Sequence, residues 1–196
     1  MIERERATEK PGATKRSDAE QNRARILEIA RTALTASSDA TMNSIAKRAG
    51  VGQGTMYRHF PNREALLLAV YRHDVQALID AAPELLAQET PFEALRLWFD
   101  RLASYARIKH GVAAAVEAAT RADLSNEYYD PVIAAITLLL DACKAAGAVR
   151  PDVDADEVLL LVSFLWRIEN RDWEARSRHL LTLVVDGLRV RPDAGR

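Results

Sequence analysis

The chain has 196 residues, a formal net charge of −1, 48% hydrophobic residues and one cysteine. That length allows one or two domains with a real hydrophobic core, and the lone Cys143 excludes an internal disulfide and fits a reducing cytoplasm. No apolar run reaches the length of a membrane span and the charged N-terminus is unlike a secretory leader, so a cytoplasmic protein with no membrane partner is expected.

Charge is unevenly distributed. Residues 1–63 carry 12 Lys and Arg against 7 Asp and Glu, a net of +5, and the remainder carries 15 against 21, a net of −6. A polyanion would therefore dock at the front of the chain. Residues 1–17 have almost nothing to bury and read as a disordered basic arm.

Everything after the arm reads as helix, rich in Ala, Leu, Glu and Arg and broken at Gly and Pro. No segment shows the period-two alternation of a strand. The first helix is expected from Asp18 to Ala36, with Ile26, Ile29, Ala30, Ala33 and Leu34 inward. Thr41 is a good N-cap for a short second helix. Its inner face would be Ile45, Ala46 and Ala49. A third short helix, Gln53 to Phe60, follows Gly50-Val51-Gly52, and Asn62 can cap a long fourth helix beginning at Arg63. Pro83 falls within the apolar pattern of that helix, where it predicts a kink or break near Ala81-Ala82. Further helices are expected at about 91–109, 111–121, 126–146, 154–168 and 173–190, for about nine in all. The division that follows is an arm (1–17), a basic segment of three helices (18–62), a longer helical segment (63–190) and a tail (191–196).

Gly50, Gly52 and Gly54 admit two readings. A phosphate-binding loop would need G-x-G-x-x-G after a strand, or a G-K-[ST] ending, and the chain has neither. A helix-turn-helix needs a left-handed residue at the end of one short helix, which Gly50 supplies, with Val51 plugging the corner. The second helix of such a unit enters the major groove with its N-terminal residues at the bases. The side chains of the third helix suit that role. Gln53 can present an amide to adenine, and Thr55 can meet a phosphate or a thymine methyl. Tyr57, Arg58 and His59 carry donors for phosphates or base edges. A small residue at Gly54 permits close approach, while Met56 and Phe60 read as inward anchors.

The stretch Thr41 to Tyr71, "TMNSIAKRAGVGQGTMYRHFPNREALLLAVY", resembles the DNA-binding domain of the TetR family of bacterial transcriptional regulators. Thr41, Ile45, Ala46, Ala49, Gly50, Val51, Gly54, Thr55, Tyr57, His59 and Phe60 match the family pattern. Gly52 departs from it, standing where Ser or Thr is usual, and the glycine common after the first helix is absent. The resemblance implies an all-α fold: an N-terminal three-helix DNA-binding domain and a C-terminal helical domain. It implies that Thr41 lies near a phosphate at a helix N-terminus. It also places Thr55, Tyr57, His59 and Arg63 on the DNA backbone, and Gln53, Gly54 and Arg58 where bases are read. Lys15 and Arg16 are candidates for the minor groove, against the alternative of plain solvated charge.

A helix-turn-helix that reads a palindromic operator in double-stranded DNA does so as a homodimer. Two apolar stripes are candidates for the dimer surface: Val158, Leu161, Val162 and Leu165, then Leu181, Val184, Val185 and Leu188. Intramolecular core is the competing reading of both. The middle helices would hold a pocket for a small-molecule effector of unknown identity, with Trp98, Tyr105, Tyr128, Phe164 and Trp166 as aromatic candidates. His110, Glu117 and Arg121 are the polar candidates. Glu117, an acid amid Ala and Val, would favour a cationic or hydrogen-bonding ligand. No cofactor or metal is called for: the four histidines show no ligand spacing, and no G-x-S-x-G nucleophile motif appears. The function implied is a ligand-released repressor and not an enzyme, with a helical protein-interaction module as the alternative.

Overall fold

A computed structural model describes residues 11–36, 40–115, 118–166, 168 and 173–190. For residues 11–18, 35, 107–115, 118–126 and 166 it describes the backbone alone. Among the described residues the chain forms eight α-helices: α1 (Pro11–Ala36), α2 (Met42–Arg48), α3 (Gln53–His59), α4 (Arg63–Gln88), α5 (Pro91–Ala115), α6 (Ala118–Ala145), α7 (Ala155–Leu161) and α8 (Trp173–Leu188). A 3₁₀ segment, Val162–Trp166, follows α7. The chain divides into two compact units, Met1–Val70 and Tyr71–Arg196.

The first unit is built by short-range chemistry. α1 begins at Pro11, inside the stretch expected to be a disordered arm. Proline suits a first helical position because its missing N–H would be an orphan there and its φ is already helical. The buried face of α1 is Ile26, Leu27, Ala30 and Ala33. It is turned from the expected face by the inclusion of Leu27; Ile29 and Leu34 are only half-buried. Thr41 caps α2 through a reciprocal box: its Oγ1 accepts from the Ser44 N–H at 3.2 Å and its own N–H donates to Ser44 Oγ at 3.1 Å. Ile45 and Ala46 of α2 and the C-cap Ala49 are buried as expected.

The turn after α2 is a Schellman corner. Gly50 has φ 66°. Its N–H bonds Lys47 O at 3.2 Å, and the Val51 N–H bonds Ala46 O at 3.1 Å, which satisfies the last carbonyls of α2. Gly52, at φ −68° and ψ 152°, then starts α3 with no side-chain cap. Asn62 Oδ1 accepts the Ala65 N–H at 2.8 Å and caps α4.

The division between the units falls within α4, between Val70 and Tyr71, and not at the expected 62/63 boundary. Leu66, Leu67 and Val70 are buried, and their contacts assign the first turns of α4 to the DNA-binding unit.

In the second unit three expected breaks are absent. α4 runs through Pro83 to Gln88. The ring of Pro83 is exposed, while Ala81, Ala82 and Leu85 are buried. One turn earlier the indole N–H of Trp98 donates to Leu78 O at 2.8 Å, tying α5 to the helix that proline weakens. α5 continues through Gly111 and α6 through 123–126 and Pro131. A glycine costs a helix only about 1 kcal/mol relative to alanine, too little to end one held by its neighbours. In the other direction, the expected 154–168 helix is split. α7 ends at Leu161, and Val162, Ser163, Phe164 and Trp166, all modest helix formers, tighten into the 3₁₀ segment.

The far end of this unit repeats the corner chemistry. Gly147 has φ 65°, its N–H bonds Lys144 O at 2.9 Å and the Ala148 N–H bonds Cys143 O at 2.9 Å. The chain then forms an isolated antiparallel bridge between Val149 and Arg189, and Arg189 stacks its guanidinium 4.0 Å over Phe92. Cys143 Sγ lies 3.1 Å from Pro91 O. Burial pushes its thiol up to about 11, as befits a packed, unreactive side chain.

Pro83→Ala restores a backbone hydrogen bond in a continuous helix with no neighbour to displace. It is expected to stabilise the protein by ~1–3 kcal/mol in urea denaturation. A loss of stability would mean that the proline geometry is required by the packing around it.

Candidate nucleic-acid interface

α3 is seven residues long and two-faced. Met56 and Phe60 are buried at 0% and 2% exposure and anchor it inward. The Arg23 guanidinium of α1 sits 5.5 Å over the Phe60 ring. Gln53, Gly54, Tyr57 and Arg58 are exposed, with Tyr57 at 45%, and Thr55 and His59 are half-buried at the flanks. Positions 53, 54, 57 and 58 share one side of a helix, so the amide, the glycine gap, the phenol and the guanidinium point the same way. The result is a short helix held by two buried side chains that offers a row of donors to solvent.

Other expected contact residues have a second engagement. Thr41 is exposed, and its oxygen is occupied as the cap of α2; the hydroxyl proton can still be donated to a phosphate. The Arg63 guanidinium is half-buried and donates to the Ala40 carbonyl, tying the start of α4 to the loop before α2. Lys15 and Arg16 lie on the α1 backbone, and their side chains are outside the described residues. Lys47 and Arg48 in the last turn of α2 are exposed basic residues that no motif in the sequence had singled out.

Of the residues expected around an effector, Tyr105 and Tyr128 both pack against the Tyr71 ring. Trp98 is fully buried, with its one donor directed to Leu78. Tyr105 is buried and Tyr128 and Phe164 are half-buried. His110, Arg121 and Trp166 are described only by their backbone, and Glu117 lies outside the described residues. Tyr71 and the buried acid Asp74 were not expected at a site, although a signal existed. Leu67, Tyr71, Asp74 and Leu78 follow the helical core spacing, and an acid in such a series is out of place.

The dimer stripes are mostly interior. Val158, Val162, Leu165, Leu181, Val185 and Leu188 are buried within the protomer. Leu161 remains 51% exposed and Val184 half-buried. The large apolar side chains left outward on α7 and α8 are Leu160 at 73%, Leu161 and Leu183 at 55%. Helices in this region are apolar on more than one face, so spacing alone could not say which stripe would turn inward.

A three-helix head with a glycine corner, followed by a helical unit, is the architecture of a helix-turn-helix DNA-binding regulator. Known proteins agree with that class. Residues 26–70 match the family model for "Bacterial regulatory proteins, tetR family", and residues 90–190 match "Transcriptional regulator SbtR-like, C-terminal domain". An HTH-type transcriptional regulator of Staphylococcus aureus is 30% identical over 181 residues, covering 87% of this chain and 96% of its own. The crystal structure of a TetR transcriptional regulator from Streptomyces coelicolor is 39% identical, with a TM-score of 0.75 over 88% of this chain and 99% of that one. A TetR regulatory protein from Mycobacterium vanbaalenii is 36% identical, with a TM-score of 0.70 over 89% and 99%. The chain belongs to the TetR family of bacterial transcriptional regulators.

Gly50 and Gly54 offer a paired test. Nothing lies within 4 Å of a Cβ built at either, so crowding decides neither case. At Gly50, with φ 66°, Gly50→Ala should cost ~1–2 kcal/mol. Gly54 is an exposed helix position, so Gly54→Ala should stabilise by ~0.5–1 kcal/mol while weakening DNA binding. Thermal melts and a mobility-shift titration read the two effects separately. If Gly54→Ala leaves DNA affinity intact, close approach at that position is not needed.

Proposed function

We propose that this regulator is a repressor that binds a palindromic operator as a homodimer in the cytoplasm and is released by a small molecule. The observation that carries the DNA-binding half is the outward row of α3, Gln53, Gly54, Tyr57 and Arg58, within a segment of net charge +5 (12 Lys and Arg against 7 Asp and Glu over residues 1–63). In this reading Gln53 and Arg58 meet base edges. Thr41, Thr55, Tyr57 and His59 contact phosphates, with Arg63 bracing the loop before α2 and Lys15 and Arg16 adding basic charge. Gly52 supplies no hydroxyl where the family pattern has one, so one phosphate contact fewer is expected.

Support for the homodimer is the outward set Leu160, Leu161 and Leu183. A second copy applying the same face would bury it, as closed two-fold symmetry requires. The effector half rests on α4. It is one continuous helix from Arg63 to Gln88, and the division between the two units falls within it. A ligand that favours one setting of α4 in the second unit would bias the spacing of the recognition helices in the dimer. A helical protein-interaction module would not need the donor row of α3 or the basic front.

The core test is a mobility-shift titration with the palindromic DNA beside the protein's own gene. Arg58→Ala should cost ~1–3 kcal/mol on that site and relax discrimination at one base pair. Equal loss on every sequence would reassign Arg58 to the backbone.

The dimer is tested by Leu160→Glu with Leu183→Glu. The pair should give a monomer in analytical ultracentrifugation with helicity retained, and operator binding should fall by two orders of magnitude or so as the second half-site is lost. A double variant that remains dimeric would place the interface elsewhere.

A further inference from the structure

Three tyrosines and one acid converge in the second unit. Tyr71 and Asp74 lie one turn apart on α4, Tyr105 is on α5 and Tyr128 on α6. The Tyr71 ring lies 5.6 Å from that of Tyr105 and 6.1 Å from that of Tyr128, centroid to centroid. The Tyr71 and Tyr105 hydroxyls are hydrogen-bond partners, and the charge of Asp74 acts on Tyr105. Burial above all, then neighbouring groups that include Asp74 and Glu127, push the Tyr105, Tyr71 and Tyr128 hydroxyls up, so all three are neutral phenols near pH 7.

Exposure falls in sequence across this group. At the rim Arg72 and Glu127 form an exposed ion pair at 3.4 Å. Tyr128, beside Glu127, is half-buried. Tyr71 and Tyr105 are 3% and 7% exposed, and Asp74 is 6% exposed. Among the described residues Asp74 is the one buried side chain that carries a carboxylate or a basic group. It already has an interaction inside the protein, which a ligand would join or replace.

A carboxylate removed from water is favoured by positive charge brought to it. Aromatic faces within about 6 Å of a cation add attraction. An anion would meet Asp74 as a like charge, the charge of Glu127 being offset by its ion partner Arg72, and a neutral apolar molecule would gain nothing from Asp74. The acidic balance of residues 64–196, 15 Lys and Arg against 21 Asp and Glu, steers in the same direction.

We propose that Tyr71, Asp74, Tyr105 and Tyr128 form the recognition end of the effector site, and that the effector is an organic cation, an ammonium or guanidinium carried on an apolar body. The inference rests on the reading of this protein as a ligand-responsive regulator, and it assigns the charge of the ligand. Because Tyr71 and Asp74 belong to α4, the helix they would pull on is the one that runs back into the DNA-binding unit.

Calorimetric titration of the full chain with phenethylammonium, phenethyl alcohol and hydrocinnamate, which share one apolar body and differ in charge, tests it. The cation should bind about tenfold or more tighter than the alcohol, and the anion weakest. Asp74→Asn should erase the margin between cation and alcohol, whereas Asp80→Asn, exposed on the same helix, should keep it. Should Asp74→Asn fail to fold by circular dichroism, Tyr128→Ala at the half-buried edge must weaken the cation more than the alcohol. The proposal is overturned if the cation does not bind, if the alcohol or anion binds as tightly, or if the margin survives either substitution in the site. Operator binding by the unliganded wild type is measured alongside. DNA binding without cation preference defeats this inference alone, and absence of DNA binding defeats the regulator reading whatever the cation does.

Discussion

The DNA-binding unit depends on a backbone corner two hydrogen bonds wide. At Gly50 the chain enters the left-handed region, the N–H groups of Gly50 and Val51 close on the carbonyls of α2, and the next residues can begin a new helix in a different direction. Any side chain there would strain the backbone whatever space surrounds it. Both short helices are too brief to be stable alone; they persist because the corner lets Ile45 and Ala46 of α2 and Met56 and Phe60 of the next segment all be buried. With those anchors inward, the polar residues of α3 have only one way to face.

The same solution recurs at Gly147, where a Schellman corner ends α6 and leads into the bridge between Val149 and Arg189. Between these two corners α4, α5 and α6 are long and tolerate residues that would break shorter helices. Gly111, Pro83 and Pro131 lie within continuous helices. Local cost is set against packing along a whole helix, and packing prevails. The Trp98 indole on the Leu78 carbonyl shows one form that this support takes: a side-chain donor from a neighbouring helix reinforcing the turn before a proline.

The functional consequence is an asymmetry between the two units. In the first, short-range rules place every outward group: the cap at Thr41, the corner at Gly50, the anchors Met56 and Phe60. In the second, a buried acid and three tyrosines come from α4, α5 and α6, so their convergence is a product of three helices packing together. Groups brought together this way can be altered one at a time on separate helices, while the head must keep its short motif whole to present α3 at all.

What could be read directly from the residue order was whatever local chemistry dictates. The all-helical class followed from composition and breaks. The helix-turn-helix followed from the spacing of glycines between apolar anchors, and the orientation of Gln53, Tyr57 and Arg58 from helical periodicity within seven residues. The packed structure decided the rest. It kept α4 helical past Pro83, carried α1 back to Pro11, and ended α7 early in a 3₁₀ segment. It turned Val158, Val162, Leu181 and Val185 inward and left Leu160 and Leu183 outside, and it set Asp74 among tyrosines from three helices. The reason is physical: a cap or a corner is settled by atoms a few residues apart, whereas burial depends on which face of each long helix meets the others, and periodicity leaves several faces equally apolar.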